Sequence, residues 1–181
     1  MHSKATLSLQ LAQMEDVPAI RELMELSIDK LQIGYLTAEQ IAGSHAVMGL
    51  DLQLISDGSY FCVFEDDVLI GCGGWSFRKT LYGGNHTQGR NPRRLDPKTE
   101  RARIRAMYTH PDYTRRGVGR LILEASETAA LKAGFREVEM AATLAGEPFY
   151  KKCGYHVESS WVDKSGEIGI PLKTMIKKMG D

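Results

Sequence analysis

Cysteine is scarce in this chain: three occur among 181 residues, at positions 62, 72 and 153. An odd number with no closely spaced pair argues against a disulfide framework and points to a reducing cytoplasm. Long apolar runs are missing as well. No stretch approaches the ~18–20 apolar residues of a membrane span, and the opening MHSKATLSLQ lacks the apolar centre of a secretory signal. The five histidines show no metal-ligand spacing, so no metal is expected. There is no excess of either charge, with 23 basic and 23 acidic side chains, and the charged and apolar fractions are those of an ordinary globular chain. Wholesale disorder is excluded.

The balanced charge is unevenly placed. Residues 1–77 hold three basic and eleven acidic side chains, whereas residues 78–105 hold nine basic and two acidic ones. An acidic first part argues against a protein that coats nucleic acid. The basic stretch suits a local anionic ligand better than a polymer.

Periodicity gives one domain, 1–181, with the order βααββ–loop–βαβαββ. Residues 6–12 alternate as a half-buried strand. Asp16 and Pro18 then open a helix with apolar positions Ile20, Leu23, Met24, Ile28 and Leu31, ended by Gly34. Thr37 and Gln40 have capping-box spacing for a second helix through Val47. Residues 59–65 and 68–75 read as a hairpin around Asp66-Asp67. Residues 78–99 are rich in Gly, Pro and Arg with little periodicity, which predicts a long loop. A strand at 102–110 stops at Pro111. A helix with the stripe Val118, Leu121, Ile122, Ala125 and Ala129 follows and closes at Gly134. A strand at 135–142, a short helix at EPFYKK and strands near 154–161 and 168–178 complete the chain.

The segment Met107–Leu121, MYTHPDYTRRGVGRL, carries the most chemistry. Glycines where a helix begins let a ligand approach the backbone, and the first N–H groups of the helix lack intrahelical acceptors. With the positive end of the helix and three arginines, they make a phosphate seat. A P-loop sequence is absent, and Ile122 stands where a dinucleotide fingerprint needs its third glycine.

The passage HPDYTRRGVGR between strand and helix resembles the acetyl-CoA-binding motif of the GNAT superfamily of N-acetyltransferases. PFYKKCGY, at 148–155, resembles that superfamily's second signature, with one helix and one strand between the two. The resemblance implies an α/β fold of GNAT type. Its mixed, mostly antiparallel central sheet would be flanked by about four helices and splayed at the middle strands. It implies acetyl-CoA as cosubstrate and a primary amine of a small molecule or peptide as acceptor. No nucleic acid and no membrane would take part, and a homodimer through the two C-terminal strands fits the family's habit. A catalytically weak acyl-CoA-binding regulatory domain is the alternative.

Carried over by residue, the resemblance places Met107, Tyr108 and Thr109 beside the pantetheine and thioester, with the Met107 N–H on the developing oxyanion. The amides of Arg115, Arg116, Gly117, Val118, Gly119 and Arg120 would hold the pyrophosphate. Thr114 stands where the family prefers Gln or Arg. Tyr150 matches the tyrosine that protonates the departing thiolate, a role a neutral phenol suits. Arg103 occupies the position of a glutamate base in several relatives, which leaves Glu100, His110 and Glu147 as nearby alternatives. Cys153 has no histidine partner and reads as inert. Acceptor recognition would fall to Leu31–Gln40, with Tyr35 as a wall or a loop aromatic, and to the 78–99 loop. That loop would attract an anionic acceptor, contact CoA's phosphates, or pair with the acidic N-terminal helices of the same or another subunit. Trp75 and Trp161 fit sheet packing or pocket walls equally well.

Overall fold

The computed structural model describes residues 5–180. One seven-stranded sheet runs in the order β1-β2-β3-β4-β5-β7-β6. The strands are β1 Leu7–Leu11, β2 Tyr60–Glu65, β3 Val68–Ser76, β4 Ala102–Thr109, β5 Glu137–Thr143, β6 His156–Asp163 and β7 Ile170–Lys178. Every neighbouring pair is antiparallel except β4 and β5. The helices are α1 Val17–Leu31, α2 Ala38–Val47, α3 Leu52–Ser56, α4 Val118–Lys132 and α5 Glu147–Lys152. Five helices replace the expected four or so, because α3 is a single short turn that leaves no periodic stripe. Asp51 caps it, its carboxylate accepting from the Gln53 N–H at 3.0 Å.

The capping box of α2 forms as its spacing predicts. Thr37 Oγ1 accepts from the Gln40 N–H at 3.1 Å, and Gln40 Oε1 accepts from the Thr37 N–H at 3.0 Å. Thr37→Ala removes one of these bonds and is expected to lower stability by about 1 kcal/mol in urea denaturation. Asp16 differs from expectation. It stands at the N-cap of α1 without a side-chain bond to that helix, and its carboxylate instead accepts from the Gln13 N–H at 2.8 Å. β1 is an edge strand, and its Leu7 and Leu11 are about two-fifths exposed. The hairpin turn at Asp66 sets Cys62 opposite Cys72 as free, buried thiols, although they are ten positions apart in sequence.

Two apolar layers sandwich the sheet. On one side α4 and α5 bury Ile104, Leu123, Phe135, Val138, Met140 and Tyr150. On the other, α1 and α3 bury Ile20, Leu23, Leu54, Tyr60 and Cys72. The glycines of β3 let α4 press onto the strand: a Cβ at Gly71 would collide with Val118 Cγ1, and one at Gly73 would lie 3.0 Å from Ile122 Cγ2.

Two irregularities shape the middle of the sheet. β4 and β5 pair only at Ala102–Val138 and Arg103–Glu139 and then separate. β4 also carries a bulge, since Cys72 faces Tyr108 while Gly74 faces Arg105. The bulged residue Ala106 has φ +50°, and the buried Tyr60 hydroxyl donates to its carbonyl at 2.7 Å. A bulge re-aims the strand's next groups.

The 78–99 segment has no helix, as expected, but it is not loose. It folds back on itself through Lys79 N–H to Arg93 O at 2.9 Å, Thr80 N–H to Asn91 O at 3.0 Å and Leu95 N–H to Phe77 O at 2.7 Å. Its arginines are engaged within the chain: Arg78 with Asp57 at 2.7 Å, Arg90 with Asp51 at 2.6 Å and Arg93 with Glu100 at 2.7 Å. Arg78 and Arg90 thus pair with acids of the N-terminal part of the same chain, whereas Arg93 pairs within the segment's own neighbourhood.

Candidate active site

Where β4 leaves β5, a cavity of about 90 Å³ opens. Ile104, Ala106, Met107 and Tyr108 line it from β4, and Met140 to Thr143 from β5. Val47–Gly49 after α2, Leu81–Gly83 of the long loop and Tyr150 of α5 complete the wall. Met107, Tyr108 and Tyr150, which are 43 positions apart at the extremes, meet here. Thr109 does not join them. It pairs with Gly71 of β3 beyond the bulge.

The chain then turns through a short 3-10 segment, Pro111–Tyr113, to the start of α4. Arg115 and Gly117 both have positive φ, +60° and +84°. Gly117 is the helix N-cap with no side-chain cap bond, and the Leu121 N–H is the first to reach back, to Gly117 O at 3.0 Å. The N–H groups of Val118, Gly119 and Arg120 are therefore free of intrahelical acceptors. Val118 buries its side chain against Val63, Ile70 and Ile122, which anchors the turn. Among the described residues Arg115 and Arg120 form no ion pair and are exposed. Arg116 is held differently: its guanidinium pairs with Glu65 and lies 5.0 Å from the Tyr113 ring centre, so its charge is engaged away from the turn.

Helix start and cavity are joined through α5. A Cβ at Gly119 would lie 3.2 Å from Phe149 Cζ, so the first turn of α4 rests on α5, and the residue after Phe149 is Tyr150. The Tyr150 hydroxyl makes no hydrogen bond to any described residue, although its side chain is only 9% exposed. Burial, with the neighbouring Cys153 adding to it, pushes the phenol well above its ordinary value. It keeps its proton at neutral pH and has one to give.

The three acid–base alternatives lie elsewhere. Glu100 is tied to Arg93, whose hydrogen bond, with that of the Asp96 N–H, holds its carboxyl down at about 2. His110 Nδ1 accepts from the Asp112 N–H at 3.1 Å and caps the 3-10 turn. Glu147 binds Lys151 at 2.8 Å and Lys173 at 2.7 Å, and those hydrogen bonds lower its pKa. None lines the cavity. Arg103 pairs with Glu139 at the last register before the strands part. Tyr35 is about half exposed and is not part of the wall. Trp75 packs on Phe77 and Phe135. Burial raises the Cys153 thiol, as an inert thiol requires.

Sequence reasoning missed Tyr82. It lines the cavity, lies 5.4 Å from Trp161 in a tilted ring contact and donates its hydroxyl to the buried Asp163. Burial and that carboxylate push its phenol up to about 12. Tyr82 and Asp163 are 81 positions apart, so only the aromatic before Gly83-Gly84 could have hinted at it. Among the described residues no helix is long and apolar enough to cross a membrane.

A family model described as the acetyltransferase (GNAT) family matches residues 20–155. No curated protein sequence matches. Among solved structures, a GCN5-related N-acetyltransferase of Rhodopseudomonas palustris is similar, at TM-score 0.71 and 18% identity over 99% of this chain and all of that one. So is the PaiA N-acetyltransferase of Thermoplasma acidophilum in complex with coenzyme A, at 0.66 and 19% over 96% and 99%. The structure of YncA of Salmonella typhimurium with its cofactor acetyl-CoA gives 0.62 and 16% over 98% and 96%. At such identities the likeness establishes the fold.

Proposed function

This chain belongs to the GNAT family of acetyltransferases, and from that membership together with the geometry above we propose that it moves acetyl from acetyl-CoA to a primary amine of a small molecule or peptide in the cytoplasm, by direct attack. The fit to the cosubstrate rests on the start of α4: an uncapped left-handed glycine, three free amides and two unpaired arginines suit a diphosphate. Acetyl-CoA supplies an activated thioester, and the remaining work falls to the chain.

The amides of Val118, Gly119 and Arg120 grip the diphosphate, with Arg115 and Arg120 adding charge. The parted strands β4 and β5 admit the pantetheine arm, and the contact between Gly119 and Phe149 keeps the phosphate seat beside the cavity. The Met107 N–H, following the bulge at Ala106, stabilises the thioester oxygen as negative charge grows on it. Such a donor contributes about 3–4 kcal/mol in the transition state. Tyr150 then gives its proton to the departing thiolate, and the resulting charge is quenched as it forms. With no carboxylate or imidazole among the described residues on the cavity wall, water takes the ammonium proton before attack. Glu147→Gln should therefore keep the acetyl-transfer rate within about twofold at neutral pH, whereas a general base would lose about a hundredfold or more.

The observation that carries this reading is the unpartnered Tyr150 hydroxyl in a cavity whose wall rests on the start of α4. The experiment that tests it is CoA release, detected with a thiol reagent, against a panel of amines, amino acids, polyamines and peptide N-termini. Turnover with an amine supports it, and none with any member contradicts it. The alternative of an acyl-CoA-binding regulatory domain draws on the same lack of a base in the cavity. It predicts acetyl-CoA binding with no turnover in that panel.

A further inference from the structure

A second cavity, of about 310 Å³, lies on the α3 side of β3 and β4, separate from the strand opening. Its wall includes Arg105 of β4, Arg78 and Arg90 of the long loop, Ser76, Gln53 and Asp51. Arg105 is the unusual member. It is only 2% exposed, and an arginine so deep needs a partner for every N–H. Its Nη2 donates to Asp51 Oδ2 at 3.2 Å and to Gly83 O at 2.8 Å, and its Nη1 to Thr80 O at 3.4 Å. Its Nε is sealed from solvent and has no acceptor among the described residues.

The donors around this space outnumber the acceptors. Each guanidinium carries five N–H groups. Arg90 spends one on Asp51 Oδ1, while Arg78 is tied to Asp57 and to Pro92 O. Asp51 has little left to give, because Oδ1 also takes the Gln53 N–H and Oδ2 takes Arg105. Three arginines face two carboxylates, Asp51 and Asp57, which leaves positive charge uncompensated beside an orphaned buried donor. A buried donor of this kind is costly until something accepts from it.

We propose that this second cavity binds a small oxyanion, a carboxylate or phosphate group, on Arg105 and Arg90. Such a ligand accepts charge-assisted hydrogen bonds in the forked geometry that guanidinium favours. Its consequence reaches the first cavity. Thr80 O and Gly83 O hold Arg105, and Leu81–Gly83 wall the strand opening. An anion on Arg105 thus braces a segment shared by both cavities. The site is independent of the chemistry proposed for Tyr150.

Two measurements test it together, with inorganic phosphate and selenate as probes. Thermal unfolding is followed with phosphate against chloride at matched ionic strength, with saturating CoA present so that the α4 turn is already filled. Phosphate at about ten times its dissociation constant should raise the midpoint by about 3–5 °C. Arg90→Gln should weaken the phosphate response about tenfold or more while leaving CoA affinity unchanged. Crystals grown in selenate need no variant, and if CoA does not bind they still report where the anion sits. An anomalous peak in this cavity, beside Arg90 and the Arg105 guanidinium, is expected. Equal midpoints in phosphate and chloride, an unaltered response in Arg90→Gln, or a cavity holding only water would each overturn the proposal. So would a crystal peak without stabilisation in solution, since that marks an adventitious ion only.

Discussion

Tyr150→Phe should bind acetyl-CoA as tightly as the natural chain and turn over about a hundred- to a thousandfold more slowly. The substitution removes one oxygen from a side chain that makes no hydrogen bond to any described residue, so it leaves no partner stranded. The ring contacts with Phe149 and Tyr155, at 5.2 and 6.0 Å between centres, are kept. Folding and the α4 turn should therefore be untouched, and the loss should fall on kcat with KM for acetyl-CoA nearly constant. A purely packing role predicts no loss at all. A role in holding CoA predicts that KM rises while kcat stays, so the division between the two constants decides. The rate limb controlled by Tyr150 should lie well on the alkaline side, because burial raises its pKa.

The largest stability effect is expected from Asp51→Ala. Asp51 is 2% exposed, caps α3 and is the only carboxylate in contact with Arg105 among the described residues. Its removal leaves a buried guanidinium without a counter-charge, a loss of about 3–5 kcal/mol. For a chain of this size the thermal midpoint should fall by about 10 °C. The paired change Asp51→Asn with Arg105→Met should recover much of that loss, because it takes away the stranded charge as well as its partner. If Asp51→Ala unfolds at the same temperature as the natural chain, the buried pair contributes nothing and Arg105 is satisfied in another way.

Local signals in the sequence were enough where one segment decides its own structure. The Thr37–Gln40 box, the Asp66-Asp67 turn, the start of α4 at Gly117 and the stripe that buries Ile122 each follow from residues within a few positions of one another. The sites depend on longer reach. Ala106 takes a positive φ without a glycine to announce it, because Tyr60, 46 positions earlier, holds its carbonyl. Arg105 sits in an alternating strand where a charged residue normally faces water. Its burial becomes intelligible only once Asp51, 54 positions away, is seen beside it. The partners of the basic loop were equally hidden, because Arg90 and Arg78 meet Asp51 and Asp57 across 39 and 21 positions of chain. Tyr82 and Asp163 meet by the same long-range logic.

The central claim is that free amides at the first turn of α4 hold the diphosphate of coenzyme A and so deliver a thioester to Met107 and Tyr150. An amide-resolved NMR titration of the folded protein with CoA tests it most directly. The account predicts saturable shifts at Gly117, Val118, Gly119 and Arg120 and at Met107, with pantetheine, which lacks the diphosphate, leaving the α4 amides unmoved. No saturable shift with CoA, or shifts confined to other parts of the chain, would contradict it.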